Sequence, residues 1–147
     1  MIRLLPDQIS KLWDIIRYAL EDSPPLTVGN INSRLISNIL TAALSGEIDV
    51  WVSYTKEGEL KLDGIILTSF EIDKFVKEKS LLIYYLYSYR DADVSRWIKG
   101  LKSLAKYAKT RNCSKIMAYT NVPTMINISE KLGGNIDTRF ITFNLKD

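Results

Sequence analysis

The sequence has no histidine among its 147 residues. That excludes imidazole-based catalysis, whether Ser-His-Asp or Cys-His, and it excludes histidine-ligated zinc. Cysteine occurs once, as Cys113. Neither an internal disulfide nor a thiolate zinc cage can form, and a reducing, cytoplasmic setting is expected. The acidic residues are scattered, with no spacing suited to magnesium, so no metal site is expected. Glycine (7) and proline (4) are sparse, and no low-complexity run or internal repeat is visible. Residues Met1 to Asp7 lack the apolar block and cleavage site of a signal peptide, and no apolar run is long enough to span a bilayer. No membrane partner is expected. Charge is nearly balanced, 20 Lys and Arg against 17 Asp and Glu. A nucleic-acid binder usually shows a denser basic cluster.

What the chain has is apolar substance, 46% of its residues, enough for one domain over 1–147 with one core. Ile2 to Leu5 reads as a short strand. Pro6-Asp7 opens a helix whose apolar positions Ile9, Leu12, Trp13, Ile16, Ala19 and Leu20 recur at three and four. Asn32 is placed to cap a second helix, which Ser45-Gly46 closes. Ile48, Val50, Val52 and Tyr54 then alternate as a strand. A hairpin connection at 56–59 leads to a second strand over 60–70, and residues 74–80 form a polar link. Leu81 to Tyr89 is a continuous apolar and aromatic run, the mark of a central strand covered on both faces. Val94, Trp97, Ile98, Leu101, Leu104, Ala105 and Ala108 give a third helix one buried side, with lysines mostly on the other. A strand over 115–120 follows. Pro123 starts a fourth helix, Gly133-Gly134 stops it, and Arg139 to Leu145 alternates as a last strand. The order βαα-βββ-αβαβ predicts an α/β fold with a mixed sheet covered by helices.

The second half carries local patterns as well. The window after the central strand reads Arg90-Asp91-Ala92-Asp93-Val94-Ser95, and the fourth helix ends in Ser129-Glu130-Lys131-Leu132-Gly133-Gly134. With the element order, these make the chain resemble the GNAT superfamily of acyl-CoA dependent N-acyltransferases. Members follow the same strand with R/Q-x-x-G-x-G/A. Arg90 and Val94 fit that pattern, while Asp93 and Ser95 stand at its two glycines. Many members also end the fourth helix with a tyrosine ahead of Leu-Gly-Phe. Here Ser129 holds the tyrosine position and Gly134 the phenylalanine position. Small proteins with such departures are similar to GNAT-like proteins of tailed phages, for which a virion location would be the alternative to the cytoplasm.

The resemblance implies a single domain with splayed central strands, binding acetyl-CoA or another acyl-CoA. It implies cofactor contacts from Tyr87, Ser88, Tyr89 and Arg90 at the end of the fourth strand. Val94, Ser95, Arg96 and Trp97 at the start of the third helix would supply more, and so would Asn121. A helix N-terminus leaves backbone N–H groups that a pyrophosphate can satisfy. Asp93, placed to cap that helix, would compete for them. Candidate catalytic groups are a phenol such as Tyr85, the carboxylate Glu71 as a base, and Ser129 as an acid at the tyrosine position. Each also has a plain structural reading, as core aromatic, exposed carboxylate and helix filler. Two functions therefore stand side by side. One is transfer of an acyl group to an amine on a small molecule or protein. The other is a non-catalytic interaction or structural protein whose partner is another protein. Nucleic-acid binding through the lysine-rich helix is a weaker third. Open sheet edges are compatible with a dimer.

Overall fold

The computed structural model describes residues 1–57, 59–91 and 93–146. The turn expected at 56–59 therefore falls partly on Gly58, outside the described residues. Ala92, within the expected cofactor window, also lies outside them. Five strands form one sheet in the order β1-β2-β3-β4-β5. They are β1 (Ile2–Arg3), β2 (Asp49–Glu57), β3 (Glu59–Ile72), β4 (Lys79–Ser88) and β5 (Lys115–Ala118). β1 through β4 are antiparallel neighbours, and β5 joins β4 in parallel. The helices are α1 (Pro6–Lys11), α2 (Trp13–Asp22), α3 (Ser33–Ser45), α4 (Val94–Thr110) and α5 (Pro123–Lys131). Among the described residues no helix is long and apolar enough to cross a membrane.

Alternation divides the sheet's side chains between two apolar layers. Val50 and Val52 of β2 and Ile65 and Leu67 of β3 meet Ile9, Ile16, Leu20 and Ile39 of α1–α3. Trp51 of β2, Ile66 of β3 and Leu81 and Ile83 of β4 face Leu104 and Ala108 of α4. Asn32 caps α3 as expected, its side chain accepting the Leu35 amide at 3.0 Å. The single helix expected from Pro6 is two, broken at Leu12 (φ −99°, ψ 7°). The apolar stripe runs through the break, which is why periodicity alone did not reveal it.

The register of β4 contains one irregularity that matters. Leu67 pairs with Tyr85 and Thr68 with Ile83, which leaves Tyr84 as an extra residue. Such a bulge reverses side-chain parity beyond it. Before it, Leu81 and Ile83 face α4. After it, Tyr85, Tyr87 and Tyr89 face α2, and Tyr84 joins them. All four tyrosines thus share one layer. Tyr85 donates to the Ala19 and Ser23 carbonyls (2.8 and 2.6 Å). Tyr87 donates to Asp22 (2.6 Å) and Tyr89 to the Ile15 carbonyl (2.7 Å). The strand pins α2 along its length.

One expected element is absent. Residues 139–145 form no strand, and Phe140, Ile141, Phe143 and Leu145 are exposed. An alternating sequence orders only against a ladder partner that repays its lost entropy. β5 offers four residues, of which Lys115 and Ala118 are exposed and Ile116 and Met117 half-buried. That flank is too short and too poorly covered to hold a sixth strand. A single ring contact, Tyr119 with Phe140 at 5.3 Å, joins the tail to the end of β5.

The tyrosine layer has a pH signature. The hydrogen bond to Asp22 lifts the Tyr87 phenol from its ordinary value near 10 to about 12. Burial raises Tyr85 and Tyr89 further still. A raised folded-state pKa lends stability that is complete below the unfolded value and is lost as pH climbs through the folded one. We therefore expect melting temperature to hold up to about pH 10 and then fall steeply across the window that reaches the Tyr87 value of about 12. Phenolate absorbance in an alkaline titration tests this. Asp22→Asn should bring the Tyr87 transition down, and an unchanged titration would remove the Asp22 assignment.

Candidate active site

β4 and β5 pair over only four rungs, from Ser80 with Lys115 to Ile83 with Ala118. The Tyr119 amide still donates to the Ile83 carbonyl at 3.1 Å. Beyond that point β4 runs on alone, so a fork opens just where Tyr84 bulges. The Tyr89 amide donates to Asp63 of β3 at 2.8 Å. By the two-residue period, Tyr85, Tyr87 and Tyr89 turn their backbone groups toward β3. Leu86 and Ser88 turn theirs into the fork.

Two clefts lie in this part of the molecule, one between the helices that follow β4 and β5 and one between α3 and the sheet. On the α4 side, Val94 and Ile98 stand across from Thr124, Asn127, Ile128, Lys131 and Leu132 of α5, around about 290 Å³. Its walls are mostly apolar, with one lysine at the edge. On the α3 side a second cleft of about 350 Å³ lies between Asn38, Ile39 and Ala42 of α3 and the strand residues Ser69, Glu71, Leu82 and Tyr84. Thr27 and Tyr119 close its fork end, with the Thr27 hydroxyl 3.1 Å from that of Tyr84.

The first turn of α4 is electrostatically crowded. Asp93 is its N-cap, accepting the Ser95 amide (3.1 Å) and the Ser95 hydroxyl (2.8 Å). The Ser95 side chain and then its backbone amide hold the carboxyl below the usual carboxylate range. The Asp93 carbonyl accepts the Arg96 and Trp97 amides. The guanidinium of Arg96 is turned away from Asp93, to Asp63 of β3 at 2.7 Å, and Arg90 approaches the other Asp63 oxygen at 3.6 Å. Thr55 donates to the same carboxylate. Asp63 is the extra residue of a second bulge, lying between the Leu62 and Gly64 pairings with Tyr54 and Ser53. Its Oδ1 is buried and has no hydrogen bond. Gly64 beside it admits the Tyr87 carbonyl to a distance that an added Cβ would meet at 2.8 Å.

The residues singled out from the sequence are dispersed across this geometry. Val94 lines the α4 cleft. Ser88 offers its backbone to the fork, while its hydroxyl donates to the Arg90 carbonyl. Trp97 packs half-buried against the α4 layer. Asn121 is exposed in the turn between β5 and α5. The hydroxyls of Tyr85, Tyr87 and Tyr89 are spent on α2, away from the fork. Ser129 donates to the Met125 carbonyl one turn back (2.8 Å), which leaves its proton committed to the helix backbone. Glu71 is in the α3 cleft, level with Ser80, three rungs before the fork opens. Asp73, two residues on, caps the β3–β4 turn through the Val76 and Phe75 amides, which lower its pKa. Among the described residues no three acidic or cysteine side chains gather as a metal site. Sequence reading missed Asp63. The signal was there, since a charged residue inside the strand segment Leu62-Asp63-Gly64 runs against strand preference.

Asp63→Asn should destabilise the protein by about 1–3 kcal/mol, the usual size of a lost buried charge-assisted partner. It should also speed amide exchange across residues 90–97, as Arg90 and Arg96 are released. A denaturant melt with hydrogen exchange checks both, and unchanged exchange in that segment would show that Asp63 does not hold it.

No family model matches the sequence, and no curated protein matches it. Solved structures do match in three dimensions. A probable acetyltransferase superposes with TM-score 0.70 at 13% identity, covering 99% of this chain and 96% of the other. A predicted acetyltransferase from Clostridium acetobutylicum, solved with acetyl-CoA, gives 0.67 at 17%, covering 98% and 94%. A ribosomal-protein-alanine N-acetyltransferase from Brucella melitensis biovar Abortus gives 0.67 at 12%, covering 98% of each. At these identities the likeness shows the fold, and the chain has the fold of the GNAT acetyltransferases.

Proposed function

We propose that the protein transfers an acyl group from acyl-CoA to an amine by direct attack on the thioester. The observation that carries this reading is the fork itself. It leaves Leu86 and Ser88 without a parallel strand partner, next to the polar end of the α3 cleft at Tyr84 and Tyr119, and the apolar cleft lies between the helices that follow β4 and β5. Acyl-CoA supplies an activated carbonyl. The residues present fit its arm, because the cleft between α4 and α5 offers apolar walls for the methylenes and Thr124 and Asn127 for the amides. In the transfer the amine nitrogen forms a bond to the carbonyl carbon and the carbon–sulfur bond breaks. The sulfur leaves with the electron pair and takes up a proton, and the nitrogen sheds one. Amide donors of β4 aimed at the carbonyl oxygen stabilise the charge that develops there. In this reading the reactants meet at the fork, which supplies the proximity a direct attack depends on. No imidazole is needed for this.

A specific observation favours a second reading. Asp93 already occupies the Ser95 amide, and Asp63 holds both arginines of the loop. In a cofactor site those groups would meet phosphate. With them spent internally, the chain would be a GNAT fold kept as a protein-binding module, its cofactor motif eroded. We place the transferase first because the fork and both clefts are open.

Calorimetric titration with acetyl-CoA separates the two, supported by the rise in melting temperature that a ligand of the native state must produce. Asp93→Asn keeps the cap and removes the charge. The variant should bind acetyl-CoA several-fold tighter than the native chain. Equal affinity would end the competition argument, and no binding by either protein at millimolar acetyl-CoA would leave the interaction module.

A further inference from the structure

The cleft on the α3 face carries polar groups at its two ends, and its remaining walls are apolar apart from Asn38 of α3. At the fork end stand the hydroxyls of Thr27, Tyr84 and Tyr119. At the other end is the Glu71 carboxylate, with the Ser69 hydroxyl donating to it at 3.2 Å. Glu71 pairs with Ser80, and the fork opens only after Ile83. Three residues of strand separate those levels by about 10 Å. Leu82, Ile39 and Ala42 wall the space between.

The carboxylate is uncompensated. Among the described residues no ion pair includes Glu71. Lys115 lies on the strand beyond Ser80, and its charge bears on Asp73. Lys79 projects to the other face of the sheet, its ammonium 4.3 Å from the Phe70 ring. A negative group of this kind, with an apolar channel leading to the fork, asks for a positive group at the far end of whatever occupies the channel.

We propose that this cleft takes a linear amine with a second cationic group at its distal end. The near nitrogen lies beside Tyr84 and Tyr119 at the fork, the methylene chain runs along Leu82, Ile39 and Ala42, and the distal ammonium pairs with Glu71. The chemical class is an α,ω-diamine or its equivalent. Glu71 is then a specificity residue, since its level in the sheet is too far from the fork to take a proton from the reacting nitrogen. That the near nitrogen becomes acylated rests on the transferase reading, whereas the binding selectivity does not. A bulky ring-bearing polycation is disfavoured, because only one carboxylate lines the cleft.

The test is calorimetry on the whole chain with octamethylenediamine, putrescine and octylamine, without and with acetyl-CoA. The long diamine should bind at least about threefold tighter than the monoamine of equal length, the scale of a partly exposed ion pair. Putrescine, too short to reach both ends, should bind more weakly than the long diamine. Glu71→Gln should erase the preference for diamine over monoamine while leaving acetyl-CoA affinity and melting temperature unchanged. A native protein that takes octylamine as well as octamethylenediamine, or a Glu71→Gln variant that keeps the preference, overturns the inference. Diamine selectivity without acetyl-CoA binding would leave the inference standing and bring down the transferase reading.

Discussion

The rest of the structure depends on one inserted residue in β4. Without the extra Tyr84, the strand would keep its parity, and Tyr85, Tyr87 and Tyr89 would point at α4. They would have no carbonyls of α2 to meet. With it, three phenols reach across to Ala19, Asp22 and Ile15, and α2 is fastened to the strand at three levels. A bulge also increases local twist and bends the strand that carries it. β5 is only four residues long and ends where the bulge begins, so the two parallel strands part there. Packing of the helical layer and opening of the fork are consequences of the same irregularity. A residue that repaired the ladder would close the site and unfasten α2 together.

Charge near the fork follows a second rule, that a buried carboxylate is tolerated only with partners. Asp63 sits where β3 bulges, largely covered, and its cations are Arg90 of the β4–α4 connection and Arg96 in the first turn of α4. Their attraction pulls the loop down onto β3 and fixes where α4 begins. Asp93 then caps the helix from the solvent side. The loop is therefore held by internal ion pairs and a cap. In a loop that wraps a phosphate, glycines usually give the backbone freedom to approach the ligand. The consequence for function is graded. Under the proposed reading a phosphate would have to displace or share contacts already made, while the thioester arm would meet no such ion pair among the residues that line the cleft between α4 and α5.

Much of this was legible in the sequence. Helix α4 announced itself through spacing, the α3 cap through Asn32, and β4 through an unbroken apolar run whose centrality the sheet order confirms. The cap at Asp93 could be read because capping is local chemistry within three residues. Parity could not be read, because a bulge is set by the neighbouring strand's register, and four tyrosines in six positions look the same on either face. The partner of Arg96 lies thirty-three residues back along the chain. Only the folded sheet brings Asp63 beside it, so the resemblance offers Arg90 and Arg96 as cofactor contacts and gives no sign of a strand carboxylate as their partner. The tail over 139–145 shows the converse failure. Its alternation is as good as that of β2, but alternation states a preference and supplies no partner.

In the proposed transfer the two clefts would serve one reaction. One is walled by α4 and α5, and the other lies between α3 and the strand residues that lead to the end of β5. The two substrates would meet in the gap between β4 and β5, where the parallel pairing ends. That gap is bordered by backbone, whose geometry the fold fixes more firmly than any side chain. Reaction at this place needs little from individual residues beyond alignment. In the proposed reaction, selectivity would be left to side chains along each cleft, Lys131 in one and Glu71 in the other. The division explains how a chain without histidine, and with its hydroxyls tied to helices, retains a plausible chemistry. The fold supplies the meeting point, and distant charges choose what arrives there.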